Sequence, residues 1–113
     1  FDPAALDGYV RYGFKPNPDG DGVRLKCDPE HEARTFDTGG NHGAWEILPE
    51  ITVPTLVLAG RVDEMQPSNI AASVAERLPN GRYLQLSHLD HFGPMTHPAE
   101  IAAVIADAVT AHT

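Results

Sequence analysis

Histidine and aspartate side chains are concentrated in one short stretch near the end of the chain, residues 87–98, which reads SHLDHFGPMTHP. Three histidines and an aspartate this close together could ligate a metal, transfer protons in catalysis, or form a polar loop. A further carboxylate, Asp63, lies upstream in GRVDEMQP. An aspartate held against an imidazole fixes its tautomer and stabilises its protonated form. Asp63 and His91 could therefore supply two members of a nucleophile–histidine–acid triad.

The secondary structure predicted around Asp63 and His91 indicates whether the two residues lie close together. VPTLVLAG is a short apolar run typical of a strand buried on both faces, and RYLQLS predicts a second strand just before the histidines. Between them, PSNIAASVAERLPNG predicts a helix that Pro67 opens and that Asn80-Gly81 ends in a left-handed conformation. A helical crossover implies parallel strands, whose carboxyl ends share one edge of the sheet. We therefore expect the Asp63 and His91 loops to emerge side by side.

The remaining segments predict helices and a turn-rich first half. HPAEIAAVIADAVTAH should form a closing helix with one apolar face, made of Ile101, Val104, Ile105, Ala108 and Val109. Residues 1–50 mix a helix in DPAALDGYVRYGF, a turn cluster in KPNPDGDG, a short strand in VRLKC and a helix in DPEHEARTF, which Asp28 should cap. We place a boundary between residues 50 and 51, where the regular strand–helix order begins.

Composition limits the classes of function. A chain of 113 residues with 42% hydrophobic residues is long enough for one globular core. Its net charge is -8 and its eight Lys and Arg residues are scattered, which argues against nucleic-acid or membrane partners. Cys27 is the only cysteine, a usage that favours a reducing compartment, and we predict a cytoplasmic protein. The chain begins at Phe1 without a signal-peptide pattern, so we expect a piece of a longer protein.

Residues 51–113 resemble the carboxyl-terminal part of α/β-hydrolase fold proteins. VPTLVLAGRVDEMQP resembles the penultimate core strand and acid loop of that family, and SHLDHFGPMTHP resembles its last strand and histidine loop. The closing helix after Pro98 also fits. The resemblance implies an α/β fold, here a parallel βαβα unit with an incomplete sheet, preceded by residues 1–50 as a mostly helical lid (cap) remnant. It implies that Asp63 is the triad acid and His91 the triad base, with no cofactor and no metal.

The nucleophile of that family is missing from this chain. The family carries it in G-x-S-x-G, upstream of the acid, yet no serine precedes Asp63 here. The serines that follow it lack the flanking glycines; they are Ser68, Ser73 and Ser87. We therefore predict the carboxyl-terminal fragment of an α/β-hydrolase, inactive alone, whose partners are the missing amino-terminal part and a small, apolar, ester-like substrate.

Several alternatives stay open. Glu64 is a rival acid, and Cys27 a rival nucleophile. HLDH resembles part of the H-x-H-x-D-H signature of metallo-β-lactamase-like enzymes, although Leu86 stands where its first histidine should be. From a different class, a non-catalytic α/β-hydrolase-fold binding protein would keep the Asp–His pair as a vestige. An upstream G-x-S-x-G would distinguish the enzyme from the binding protein.

Overall fold

The chain is a mixed α/β protein in a computed structural model that describes residues 1–63 and 66–111. These residues contain six α-helices and two sheets of two strands each. The chain divides into two compact units, Phe1–Gly43 and Ala44–Thr113. Residues 44–50 belong to the second of these units.

The first unit holds two helices and a hairpin. In chain order its elements are α1 (Pro3–Gly13), β1 (Phe14–Pro16), β2 (Val23–Leu25) and α2 (Pro29–Thr38). β1 and β2 pair antiparallel, and the turn between them contains Gly20 and Gly22, both with positive φ. Where side chains of this unit are described, none is buried.

Both helices of the first unit begin at an aspartate cap. Asp2 Oδ1 accepts hydrogen bonds from the amides of Ala4 and Ala5, at 2.9 and 3.1 Å. Asp28 Oδ1 accepts one from the Glu30 amide at 2.9 Å, which confirms the predicted start of α2. Each cap is followed by a proline, whose missing N–H costs nothing in the first turn.

The second unit contains the predicted strand–helix–strand–helix order. Its elements are α3 (Ala44–Ile47), β3 (Thr55–Ala59), α4 (Ala71–Arg77), β4 (Gly81–Gln85), α5 (Gly93–Thr96) and α6 (Pro98–Thr110). β3 and β4 pair in parallel, with Thr55 opposite Gly81 and Ala59 opposite Gln85. The parallel pairing expected from the crossover is therefore confirmed. The short helix α5 was not predicted.

The stop predicted for α4 is wrong. α4 ends at Arg77, and Leu78 already has an extended backbone with φ -82° and ψ 126°. Within the described residues, positive φ occurs only at Gly20, Gly22 and Gly43. Neither Asn80 nor Gly81 is therefore left-handed.

A glycine is needed at position 81 because no side chain fits there. A Cβ at this position would collide with the Ala75 carbonyl oxygen and would lie 2.8 Å from Leu78 Cβ. The glycine lets β4 start directly beside the end of α4. The Asn80 side chain ties the same junction to the approach to β3, because its amide donates to the Thr52 carbonyl at 2.6 Å.

The core of the second unit is small. Its buried apolar residues are Ala59, Ala71, Ala75, Leu78 and Leu89. β3 is only half-buried up to Leu58, which differs from the predicted burial on both faces, because within the described residues β4 is its only neighbouring strand. On α6, Ile105 and Val109 are 54% and 61% exposed although they belong to the predicted apolar face.

No helix in residues 1–63 and 66–111 combines the length and the apolarity needed to cross a membrane.

Candidate functional site

Asp63 and His91 lie on the loops that follow the two parallel strands. Both side chains are exposed, and both residues line one pocket of about 180 Å³. The other residues that line it are Arg61, Gln66, Asp90 and Phe92. The structure thus brings the two residues singled out from the sequence to the same pocket at the carboxyl edge of the sheet, as the parallel topology predicts.

Backbone hydrogen bonds hold the two loops together. The Leu86 amide donates to the Ala59 carbonyl at 2.8 Å, which extends the sheet by one step beyond β4. The Arg61 amide then donates to the Leu89 carbonyl at 2.7 Å, and this bond joins the Asp63 loop to the His91 loop directly. The loops are therefore fixed to each other only two residues from Asp63 and two residues from His91.

Gly60 makes this close approach possible. A Cβ on Gly60 would lie 2.8 Å from the Asp90 carbonyl oxygen and 2.9 Å from that of Leu89. This role of Gly60 was not predicted from the sequence. A glycine at the end of a strand is a recognised sign of close backbone approach, so the signal was present.

The Asp63 loop is closed by two further hydrogen bonds. The Gln66 amide donates to the Asp63 carbonyl at 3.0 Å, and the Ser68 hydroxyl donates to the Arg61 carbonyl at 3.0 Å. Together they link Arg61 and Asp63 to the residues that precede α4. Glu64, the rival acid, lies outside the described residues.

The His91 loop is anchored by a buried leucine. Leu89 is 3% exposed, and its amide donates to the Leu86 carbonyl at 2.9 Å. Asp90 Oδ1 accepts a hydrogen bond from the Phe92 amide at 2.8 Å, which gives Asp90 a role in shaping the loop. The His91 ring packs edge to face on Phe92, with 5.5 Å between ring centroids.

The other two histidines of the stretch lie in a separate cluster. His88 Nε2 contacts the Glu100 carboxylate at 3.0 and 3.1 Å, and the His97 ring meets the His88 ring edge to face with centroids 6.4 Å apart. His97 also shares a 2.9 Å hydrogen bond with the Thr96 hydroxyl. Among the residues described, no three His, Cys, Asp or Glu side chains are arranged to hold a metal ion.

A larger apolar pocket adjoins the site. It has a volume of about 290 Å³, and His91 and Asp90 contribute to its wall together with Ser68. Most of its remaining lining is apolar, including Leu58, Leu86 and Ile101. A pocket of this kind can hold an apolar group beside an imidazole.

Neither Ser68, which lines the apolar pocket, nor Cys27, the rival nucleophile, has the structure of a nucleophile elbow. The Ser68 hydroxyl donates to a backbone carbonyl, and the residue lies in a 3-10 turn, Pro67–Ile70, rather than at a tight strand-to-helix turn. Cys27 is exposed in the first unit.

Comparison with known proteins finds similarity to proteins named as putative hydrolases. The chain is 31% identical over 83 residues to the protein named "Putative carbamate hydrolase RutD" from Pseudomonas savastanoi pv. phaseolicola. It is 32% identical over 59 residues to the protein of the same name from Yersinia enterocolitica. These similarities support a relation to hydrolases.

The similarity covers much of this chain but little of the relatives. The aligned residues are 74% of this chain and 30% of the Pseudomonas protein, and 52% and 21% in the Yersinia comparison. No family model matches the chain, and no solved structure matches it.

Proposed function

We propose that these residues are the carboxyl-terminal part of a hydrolase in which Asp63 and His91 are the acid and base of a catalytic triad. The observation that carries the proposal is the pocket that both residues line, at the ends of adjacent parallel strands. The nucleophile would come from a part of the protein outside these 113 residues. The 30% share of the Pseudomonas relative that aligns with the chain supports this, as does the lack of a serine before Asp63.

The two residues would act as follows. His91 accepts the proton of the nucleophile's hydroxyl as its oxygen attacks the carbonyl carbon, and the resulting imidazolium returns that proton to the leaving group. In the second half, His91 takes a proton from water, the hydroxide displaces the nucleophile from the carbonyl carbon, and the proton passes back to the nucleophile. Asp63 orients the imidazole and stabilises its charged form in both halves.

The substrate would be a small molecule with an ester-like or related bond. The 290 Å³ apolar pocket beside His91 would hold its apolar portion. Because both relatives are named as carbamate hydrolases, carbamates are a second candidate class of substrate. Residues 1–50 would be the remnant of a lid (cap) segment.

The test uses the protein made from the complete reading frame that encodes these residues. We expect an upstream G-x-S-x-G and hydrolysis of a p-nitrophenyl ester or an aryl carbamate. His91→Ala should lower kcat by about 10³-fold or more, because the nucleophile loses its base. Asp63→Asn should also lower kcat strongly, through the loss of the oriented imidazole. The controls are Glu76→Gln on α4 and Asp107→Asn on α6, exposed residues that line neither pocket of the site and should leave kcat unchanged.

Two results would contradict the proposal. Full activity in His91→Ala would exclude the base assignment. A reading frame without the nucleophile motif, together with no hydrolysis of either substrate, would favour the non-catalytic binding protein. The 113-residue chain alone should be inactive, and ester hydrolysis by it at the rate of the complete protein would contradict the assignment of the nucleophile to another part.

A further inference from the structure

A polar contact between two side chains connects the His91 loop to the last helix. His88 Nε2 lies 3.0 and 3.1 Å from the two oxygens of the Glu100 carboxylate. Glu100 sits in the first turn of α6, directly after Pro98 and Ala99. Neither residue lines the pocket that Asp63 and His91 share. The pair is therefore outside the proposed catalytic machinery.

The pair completes the attachment of a very short loop. Between the end of β4 at Gln85 and the start of α5 at Gly93, the backbone is held to the Asp63 loop through the Leu89 carbonyl, which accepts from the Arg61 amide at 2.7 Å. His88 is the neighbouring residue, and its side chain reaches α6 instead. The loop is thus held at adjacent positions to two different elements, and His91 follows within three residues.

We propose that His88 and Glu100 are a positioning pair, which fixes the His91 loop against α6 so that the His91 imidazole keeps its place in the pocket. The effect of this pair on catalysis rests on the proposed function. Its effect on the position of the loop does not depend on that function. The His97 ring also contacts the His88 ring, in a T-shaped arrangement with 6.4 Å between centroids.

The expected effect is on loop position rather than on global stability. The His88 and Glu100 side chains are 59% and 39% exposed, and side-chain contacts of such exposure contribute little to unfolding equilibria, whether or not the histidine is charged. A catalytic base displaced by a fraction of an ångström, in contrast, loses much of its rate, and a displacement of about 1 Å can cost roughly 10²-fold. Loss of the pair should therefore appear in kcat and in local amide exchange before it appears in the melting temperature.

The first test measures amide hydrogen exchange by mass spectrometry in the complete protein. His88→Ala and Glu100→Ala should each speed exchange in residues 86–92 by about 3- to 10-fold, and the double variant should be no faster than either single one. His88→Gln, which keeps a donor toward Glu100, should restore slow exchange. Glu76→Ala on α4 and Asp107→Ala on α6, both at exposed residues outside the pair, are the controls. Unchanged exchange in both single variants would overturn the anchoring role. Additive effects in the double variant would also overturn it, because they would show that His88 and Glu100 act independently and not through their contact.

The second test measures hydrolysis. His88→Ala should lower kcat by about 5- to 20-fold with KM unchanged, and His88→Gln should recover most of it. If His91→Ala abolishes activity while His88→Ala leaves kcat as it was, the positioning role fails and the proposed function stands. If His91→Ala has no effect, the proposed function and the catalytic role of the pair fail together, and the exchange experiment still decides whether the pair anchors the loop.

Discussion

At the scale of single residues, the positions of the two loops depend on room for the backbone as well as on side-chain chemistry. Gly60 and Gly81 are needed for opposite ends of the same sheet: Gly60 lets the loop after β3 approach the His91 loop, and Gly81 lets β4 start against the end of α4. Neither has positive φ, so conformational freedom is not the reason for either glycine. Both positions exclude a side chain because backbone carbonyls lie where a Cβ would be.

Gly60→Ala should destabilise the second unit by about 1–3 kcal/mol, because the new methyl group forces the two loops apart. It should also lower the proposed activity by displacing His91 from Asp63. Urea unfolding followed by circular dichroism measures the first effect. Gly8→Ala, inside α1 with nothing within 4 Å of the added Cβ, is the control and should stabilise its helix by about 0.5–1 kcal/mol. Equal effects of the two changes would contradict the close-approach explanation.

Leu89→Ala should cost about 2–5 kcal/mol, since Leu89 is the most deeply buried of the core residues described, at 3% exposure. The resulting cavity lies under the His91 loop, so the loss should also speed amide exchange there. Leu6→Ala, at a leucine that is 46% exposed, is the matched control and should cost much less. If Leu89→Ala fails to fold, Leu89→Met keeps most of the volume and should cost under about 1.5 kcal/mol. A loss from Leu89→Ala no larger than that from Leu6→Ala would show that Leu89 does not anchor the loop.

Secondary-structure elements of the chain follow local signals closely, and α2 shows how much depends on them. This helix has no buried residue, so its stability comes from its cap and its own turns rather than from a core. The acidic residues Glu30 and Glu32 in its first turn add to the Asp28 cap.

Asp28→Ala should destabilise α2 by about 1 kcal/mol and lower the far-ultraviolet helical signal, because the Glu30 amide loses its acceptor. Asp37→Ala provides a control of opposite sign. Asp37 lies near the carboxyl end of α2, where removal of a negative charge should stabilise the helix slightly. A drop in helicity for Asp37→Ala equal to that for Asp28→Ala would show that capping does not limit this helix.

The whole molecule leaves apolar surface uncovered. Ile105 and Val109 of α6 are largely exposed, and Val109 borders a pocket at Pro54 and Leu56 on the side of β3. Within the described residues β3 pairs with β4 alone, so its other edge is also open. Exposed apolar faces and strand edges promote association.

The 113-residue chain should therefore associate as its concentration rises, and Ile105→Lys should reduce the association. Sedimentation velocity over a concentration series measures both. Val23→Lys is the matched control: Val23 is 64% exposed on β2 in the first unit, and charge there should not reduce association to the same degree. A chain that stays monomeric and unfolds in one sharp, cooperative transition would contradict the expectation.

Local chemistry in the sequence determined the order and type of the main elements. Helical periodicity, the Asp28 cap and the continuous apolar run of β3 are properties of neighbouring residues, so they can be predicted without the fold. The parallel pairing of β3 and β4 followed from the crossover helix between them. Asp63 and His91 were selected on the same basis, and their catalytic roles remain predictions.

Tertiary structure alone decided what depends on the path of the chain between distant residues. The bond from the Arg61 amide to Leu89 and the contact of His88 with Glu100 join residues that no local pattern relates. The same holds for Gly81. It was predicted to end α4 in a left-handed conformation, whereas a glycine is needed there because a side chain would collide with the Ala75 carbonyl. A sequence specifies which conformations neighbouring residues prefer, whereas the distance between two loops depends on how whole elements pack.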